Sequence, residues 1–194
     1  GHRLAKIDYN SDEKIAEIPG VIIPRKTIAE VCKLLSDFSG KVKINLDPNK
    51  IIFFIDKSVL ISKLIDGNFP DYQRVIPKDN KNIMIINRND FCMAVDRVST
   101  ITNEKSPVIK FKLLNNLMNM TSADSENGLA TEDIVTEYTG EEIEIGFNSK
   151  YILEMINHLT DDKIKLSFND SSSPVIATEE SNKNLIYVLM PMRV

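Results

Sequence analysis

The chain has 194 residues, of which 42% are hydrophobic and 27% charged, and it carries a net charge of −4. This composition excludes an intrinsically disordered chain, and no run approaches the roughly 18 apolar residues that a membrane span needs. The acidic balance excludes tight nucleic-acid binding through bulk charge alone. Because the first thirty residues also lack the layout of a signal peptide, we expect a soluble, cytoplasmic protein.

One apolar stripe recurs three times along the chain. Counted from Pro24, Asn87 and Asn148, which are 63 and 61 residues apart, apolar residues fall four, seven, eight and eleven positions onward. The three stripes are Ile28, Val31, Cys32 and Leu35; Phe91, Ala94, Val95 and Val98; and Ile152, Met155, Ile156 and Leu159. These offsets mark one face of an α-helix, and proline and asparagine suit its first residues. We therefore predict three helices that begin after Pro24, Asn87 and Asn148.

Short strands are predicted on both sides of each helix. A β-branched run precedes each helix, at 21–23, 83–86 and 143–145. Alternating or β-branched runs follow, at 41–46, 51–55 and 59–65, then at 108–113, 117–121 and 133–138, and finally at 163–168, 175–177 and 185–190. The repeated unit is thus a strand, a helix and three strands. Two such units would pair into a two-layer domain, so the predicted fold class is α+β, with two helices on antiparallel sheets in each domain.

The odd number of units indicates a fragment of a longer protein. Residues 1–9 resemble the closing strand of a further unit, so we expect the chain to begin inside a domain. We predict that residues 82–194 form one complete domain and that residues 1–81 are the second half of the domain before it. The segment 77–80 has the composition of a linker.

Candidate catalytic and metal-binding residues are scarce. His2 has no histidine or cysteine at ligand spacing, and His158 is expected to be a packed or helix-end residue. Cys32 and Cys92 fall inside apolar helical patterns, where small buried hydrophobes are expected and neither a disulfide nor a metal site is. The phosphate-binding, dinucleotide and nucleophile-elbow motifs are absent from the sequence. We expect no enzyme activity, no cofactor and no metal; an acid–base hydrolase using the acidic strands is the alternative.

Basic residues on the predicted helices are candidates for contact with an extended polyanion. They are Arg25, Lys26, Lys33, Arg88, Arg97 and Lys150. Acidic residues share those helices, so phosphate contact would be weak and sensitive to salt. An ordinary solvated helix face is the alternative interpretation.

The last eight residues, 187–194, form a second candidate site. They combine apolar residues and two methionines with Pro191 and Arg193, whereas chain ends are usually polar and frayed. Two interpretations stay open. The segment is either a last core strand or an adaptable groove for the hydrophobic side chains of a partner.

Five blocks of the sequence resemble the bacterial DNA polymerase III beta subunit, the family of replicative sliding clamps. They are GHRLA at 1–5, FPDY at 69–72, TNEK at 102–105, EIGFN at 144–148 and MPMR at 190–193. The resemblance extends over the whole chain. It implies three similar domains, each with two helices against outer sheets, and two subunits that close head to tail around duplex DNA. By this resemblance the chain spans the second half of the middle domain and the third domain, and alone is not expected to close a ring.

The resemblance implies a non-enzymatic processivity factor that tethers the replicative polymerase to its template. Polymerase subunits, the clamp loader and repair proteins would dock a short motif, a glutamine followed by hydrophobic residues, in a groove between the second and third domains. The matching positions are Gly1, His2, Arg3, Leu4, Pro70, Arg74, Val75, Val188, Leu189, Met190, Pro191, Met192, Arg193 and Val194. Val194 stands where a leucine is familiar, and Gln73 where a basic residue often does.

The family's helices line the hole of the ring. This implies that Arg25, Lys26, Lys33, Arg97 and Lys150 lie near DNA. Ring closure would use Thr100 and Ile101, with acidic residues of 126–137 as charge partners. A scaffold of the same architecture that binds proteins without encircling DNA is the alternative.

Overall fold

The computed structural model describes residues 2–10, 18–103 and 107–193. Gly1 and Val194, both predicted to contact a partner peptide, lie outside the described residues. All further structural statements concern the described part of the chain.

The chain divides into two compact units. The larger unit consists of Gly1–Asn10 and Asp71–Val194, and the smaller unit of Ser11–Pro70. The boundary that we predict between residues 81 and 82 therefore falls inside the larger unit. The side chain of Asn80 anchors the segment before this boundary to the larger unit. Its Nδ2 donates to the carbonyls of Ser167 and Pro174 at 2.7 and 3.0 Å.

The described residues of the two units form three α-helices and thirteen strands. The helices are α1 (Arg25–Leu35), α2 (Arg88–Ser99) and α3 (Ser149–His158). The strands are β1 (Arg3–Ile7), β2 (Lys43–Asp47), β3 (Lys50–Ile55), β4 (Ser58–Lys63), β5 (Asn82–Asn87), β6 (Val108–Leu114), β7 (Leu117–Asp124), β8 (Gly128–Val135), β9 (Glu137–Tyr138), β10 (Ile143–Asn148), β11 (Lys163–Phe168), β12 (Val175–Glu179) and β13 (Leu185–Leu189). A 3₁₀ turn covers Tyr72–Arg74.

All three predicted helix starts are confirmed. Each helix begins at the residue after Pro24, Asn87 or Asn148. The Oδ1 of Asn87 accepts from the N–H of Asp90 at 3.0 Å, and that of Asn148 accepts from Lys150 and Tyr151 at 3.0 and 3.3 Å. These side chains satisfy N–H groups that the first turn of a helix leaves unpaired.

The larger unit packs α2 and α3 against each other and against two antiparallel sheets. One sheet has the order β1-β13-β12-β11-β5-β9 and the other the order β10-β6-β7-β8. The predicted stripes of α2 and α3 are all buried in one core with inward residues of both sheets, among them Met84, Phe111 and Phe168. The α+β prediction, with two helices on antiparallel sheets, is confirmed in this unit.

The smaller unit combines α1 with a sheet of order β2-β3-β4. Its buried core is small and consists of Val31, Ile51, Phe53 and Ile55. The predicted strand at 21–23 is wrong, because only Ile22 forms a bridge, with Ile65. The run is only three residues long and ends directly before Pro24. Proline has no N–H to donate to a neighbouring strand, so the pairing cannot continue beyond residue 23.

The expectation that both cysteines are buried is wrong. Cys32 is exposed and Cys92 half-buried. Ile28, on the same face of α1 as Cys32, is also 41% exposed. The reason is that α2 and α3 cover each other's stripes, whereas α1 is the only α-helix among the described residues of the smaller unit.

The predicted strand at 133–138 is broken in two. β8 ends at Val135 and β9 begins at Glu137, with Thr136 between them. Asn116 organises the break: its N–H donates to the Tyr138 carbonyl at 2.8 Å, and its own carbonyl accepts from Thr136 at 3.1 Å. The Oδ1 of Asn116 also accepts from the N–H of Tyr138 at 3.3 Å, so β9 can pair with β5 in the other sheet.

Candidate functional site

Backbone hydrogen bonds bring three of the sequence blocks together in the larger unit. The N–H of Met190 donates to the carbonyl of His2 at 3.0 Å, and that of Met192 donates to the carbonyl of Gly146 at 2.8 Å. Gly146 belongs to β10, so the C-terminal segment runs from the sheet that contains β1 to the sheet that contains β10. Met190, Pro191 and Met192 stay half-buried there, available for contact on one side.

The predicted groove residues of β1 and β13 are divided between two faces of the sheet. In the register of this pair, Arg3 lies opposite Leu189 and Leu4 opposite Val188. Successive side chains of a strand point to opposite faces. Arg3 contacts α3 and Leu189 is 3% exposed within the main core, so Leu4 and Val188 lie on the face away from α3. Val188 is buried but lies outside the main core, as this arrangement requires.

On the α3 side of the same two strands lies a cavity of about 230 Å³. Its lining is formed by Arg3, Ala5, Tyr151, Glu154, Met155, His158, Tyr187 and Leu189, and Leu4 also borders it although its side chain points to the other face of the sheet. The guanidinium carbon of Arg3 is 4.2 Å from the centre of the Tyr151 ring, and the guanidinium pairs with the carboxylate of Glu154. A cation over an aromatic ring is favourable, and the carboxylate adds a charged hydrogen bond.

Five of these lining residues were not predicted as site residues. They are Ala5, Tyr151, Glu154, Met155 and His158. The four on α3 follow the helical spacing of three or four residues: Met155 belongs to the buried stripe, and the other three lie directly beside it. That spacing was a usable signal, but it becomes a site only because β1 pairs with β13, which a local pattern does not show.

Arg74 is the last residue of the 3₁₀ turn at the start of the larger unit's second segment, and Val75 follows it directly. The Nε of Arg74 is 2.8 Å from Oδ2 of Asp71, and both side chains are exposed. Val75 is 40% exposed. Pro70, an exposed residue, belongs to the smaller unit. The role of these three residues in peptide binding stays a prediction.

The basic residues that we expect near DNA differ in whether they form an ion pair with an acidic side chain. Arg25 and Lys26 are exposed in the first turn of α1, and Lys150 is exposed near the start of α3. Lys33 pairs with Glu30 at 3.0 Å. The first turn of α1 contains no acidic residue, although a helix N-terminus favours anions.

The guanidinium of Arg97 forms an ion pair with the carboxylate of Glu132. Its Nε donates to Oε2 of Glu132 at 3.1 Å, and its Nη2 donates to the other carboxylate oxygen. The hydrogen bond from Arg97 holds the pKa of Glu132 below its ordinary value. Arg97 would have to leave this bidentate pair before it could contact a phosphate.

The predicted ring-contact residues lie after the end of α2. The hydroxyl of Thr100 donates to the carbonyl of Arg97 at 2.7 Å, and the carbonyl of Ile101 accepts from Nδ2 of Asn127 at 3.4 Å. β8, which follows Asn127, is an edge strand of its sheet. Leu129 and Val135 at its two ends are 70% and 80% exposed. Apolar side chains on an unpaired edge are typical of a surface that joins another chain.

Across the described ranges, no group of three or more histidine, cysteine, aspartate or glutamate side chains could hold a metal ion. His158 is exposed in the last turn of α3, as the helix-end prediction requires. None of the described helices is long and apolar enough to cross a membrane.

Comparison with known proteins gives a consistent result over both units. Residues 73–193 match the model of the DNA polymerase III beta subunit, C-terminal domain, and residues 1–71 match that of the central domain. The beta sliding clamp of Caulobacter vibrioides is 40% identical over 194 residues, which are 100% of this chain and 52% of the relative.

Solved structures agree with these matches. A sliding clamp (DNA polymerase III subunit beta) from Bartonella birtlesii, bound to griselimycin, gives a TM-score of 0.96 at 42% identity, covering 100% of this chain and 52% of that one. The DNA polymerase III subunit beta from Pseudomonas aeruginosa gives 0.95 at 34% identity, covering 100% and 53%. The chain thus spans about half the length of the relatives that it matches.

Proposed function

Because the chain belongs to the DNA polymerase III beta subunit family, we propose that it is part of a sliding clamp that encircles duplex DNA and confers processivity. The clamp would tether the replicative polymerase, the clamp loader and repair proteins through short peptide motifs. No bond is made or broken in this function, so we propose a non-enzymatic protein, and one that acts in the cytoplasm.

The observation that carries the proposal is the position of the C-terminal segment. Met190 and Met192 are held by backbone hydrogen bonds to His2 and Gly146, and their side chains are only half-buried. A fixed backbone presents flexible thioethers, which can repack around different apolar side chains. Burial of two or three partner side chains contributes roughly 1.5–3 kcal/mol each, less the cost of ordering. Micromolar, exchangeable binding is the expected result.

The peptide site that we propose combines both chain ends of the larger unit. His2, Arg3 and Leu4 supply one wall, and residues 188–193 supply another. Pro70, Arg74 and Val75 remain proposed contacts. Arg193 and Arg74, both exposed, suit the carbonyls or acidic groups of a partner at the rim.

The proposed relation to DNA is mechanical. A closed ring is held on DNA by its topology, so it needs no strong phosphate contacts, and a net charge of −4 is compatible with it. Arg25, Lys26, Lys33 and Lys150 are the proposed contacts, together with Arg97 if it leaves Glu132. The engagement of Arg97 with Glu132 favours the second candidate, a scaffold of clamp architecture that does not encircle DNA.

We propose that residues 1–81 are the second half of a middle clamp domain and that residues 82–194 are the C-terminal one. The family matches at 1–71 and 73–193 support two domains of this kind. Thr100, Ile101 and the edge strand β8 would join a second subunit. The exposure of Thr100, Leu129 and Val135 and the unpaired edge of β8 support that contact.

Two experiments test the proposal. Titration of this chain with a pentapeptide that contains glutamine and leucine should give saturable micromolar binding, and no binding would reject the peptide site. A longer chain, of the length of its relatives, should stay on nicked circular DNA after loading but slide off linear DNA of the same sequence. Equal retention on both DNA forms would favour the scaffold.

A further inference from the structure

Two residues of α3 hold the side chain of Arg3 in place. Its guanidinium carbon lies 4.2 Å from the centre of the Tyr151 ring, and the guanidinium pairs with the carboxylate of Glu154. Tyr151 and Glu154 are three residues apart, which places them side by side on one face of the helix. Arg3 therefore lies against α3 and is not directed freely into solvent.

The cavity beside this ion pair is otherwise largely apolar. Met155, Tyr187 and Leu189 contribute to its lining. The side chains of Arg3 and Glu154 remain 40% and 56% exposed, so water screens the ion pair and a competing group can break it. A carboxylate brought by a ligand either displaces the carboxylate of Glu154 or lies close to it, whereas a neutral side chain leaves the pair intact.

We propose that Glu154 is a specificity-determining residue, which makes the surface around Arg3 select neutral partner motifs over acidic ones. The inference rests on the proposed function, since it requires short peptides to bind beside β1 and β13. Arg3 alone would attract a carboxylate. Paired with Glu154 it presents no net charge, and Glu154 repels a second carboxylate at short range.

The test uses this chain, a neutral pentapeptide that contains glutamine and leucine, and a set of peptides in which each remaining position in turn carries glutamate. Glu154→Gln removes the competing charge and keeps a helix-forming side chain of similar size. For at least one acidic peptide we expect affinity to rise about two- to fivefold relative to the neutral peptide, the range of an exposed charge pair. Glu142→Gln is the matched control, because Glu142 pairs with Lys112 at 2.8 Å, away from this cavity, and the net charge changes equally.

A double variant, Arg3→Gln with Glu154→Gln, should lose the gain, since the carboxylate can then no longer pair with the guanidinium of Arg3. An equal change for every peptide in Glu154→Gln, or the same gain in Glu142→Gln, would overturn the proposal. Circular dichroism melting shows whether each variant keeps its fold. Failure of the proposed function is distinguishable, because the neutral peptide would then not bind even the unsubstituted chain.

Discussion

Met192 pairs with Gly146 across the gap between the two sheets of the larger unit, its N–H donating to the glycine carbonyl at 2.8 Å. This bond fixes the backbone of Met192. The side chain of Met192 stays half-buried, so it can gain contact area when a ligand binds. The same relationship makes Met192 a residue whose truncation tests binding without disturbing the fold.

Met192→Ala should weaken binding of the pentapeptide that contains glutamine and leucine. Loss of part of the apolar contact corresponds to about 1 kcal/mol, or roughly a fivefold higher Kd. Isothermal titration calorimetry measures the change. Met93→Ala is the control, because Met93 is a 51% exposed methionine on α2 and its loss should leave the Kd unaltered. Equal affinity of all three proteins would contradict a contact through Met192.

The two faces of the β1–β13 pair should respond differently to substitution. Leu189 is 3% exposed in the main core, so Leu189→Ala should lower the free energy of unfolding by about 2–4 kcal/mol. Leu4 is half-buried on the other face, so Leu4→Ala should cost about 1 kcal/mol or less in stability yet raise the Kd of the pentapeptide about fivefold.

Urea denaturation and the peptide titration separate these effects. The expectation for Leu189 is wrong if its truncation leaves the denaturation midpoint unchanged. For Leu4, the contrary result is a variant that binds the pentapeptide as tightly as the original chain.

The difference between Leu4 and Leu189 shows what the sequence could and could not predict. The helical stripes and the strands around them followed from local spacing, and the structure confirms nearly all of them. The pairing of β1 with β13 joins residues 178 to 186 positions apart, and no local pattern contains it. Resemblance to a family indicated the residues of the proposed site, but only the register of that pair assigns them to faces.

The exposed stripe of α1 gives a similar lesson. Its spacing is the same as that of the stripes on α2 and α3, yet Ile28 and Cys32 are exposed. A stripe predicts which face of a helix is apolar, but burial requires a second element to cover that face. The sequence pattern alone therefore could not distinguish α1 from the other two helices.

Neutralisation of Arg25 and Lys26 should have opposite effects on stability and on DNA binding. Both side chains lie in the first turn of α1, where the helix dipole disfavours cations. Arg25→Gln with Lys26→Gln should raise the stability of the helix by about 0.3–1 kcal/mol. If both contact phosphates, the slope of log K against log salt should become shallower by roughly 2.

Fluorescence anisotropy with a short duplex at several low salt concentrations measures that slope. Lys57→Gln is the control, an exposed lysine between β3 and β4 in the same unit. If Lys57→Gln made the slope of log K against log salt shallower by the same amount per removed charge, only bulk charge would matter and α1 would have no special role.

Asn116→Ala should destabilise the larger unit by about 1–2 kcal/mol. The residue has a φ of 55°, which alanine adopts only with strain, and alanine also removes the acceptor of the Tyr138 N–H. Asn116→Gly should cost less, because glycine tolerates the left-handed conformation and loses only the hydrogen bond. Thermal unfolding compares the three proteins, and an equal loss in both variants would mean that the backbone conformation contributes nothing.

Asp170 should make the stability of the larger unit depend on acid pH. Its carboxylate accepts from the N–H groups of Ser172 and Ser173, both at 2.7 Å, and from their hydroxyls at 2.9 and 2.7 Å. These bonds, the hydroxyl of Ser173 first, hold the pKa of Asp170 well below its ordinary value of 3.8. The unfolded chain therefore takes up the proton first as the pH falls. The stabilisation is complete well above pH 3.8 and is lost progressively below it.

Asp170→Asn should lower stability at neutral pH by about 1 kcal/mol, because an amide is a weaker acceptor than a carboxylate. The difference in Tm between this variant and the original chain should shrink as the pH falls below 3.8, where the carboxylate of the original chain is protonated on unfolding. Asp79→Asn, a change of the same type at an exposed position, is the control. A Tm difference for Asp170→Asn that stays constant down to strongly acid pH would show that the serine hydrogen bonds do not depend on the charge.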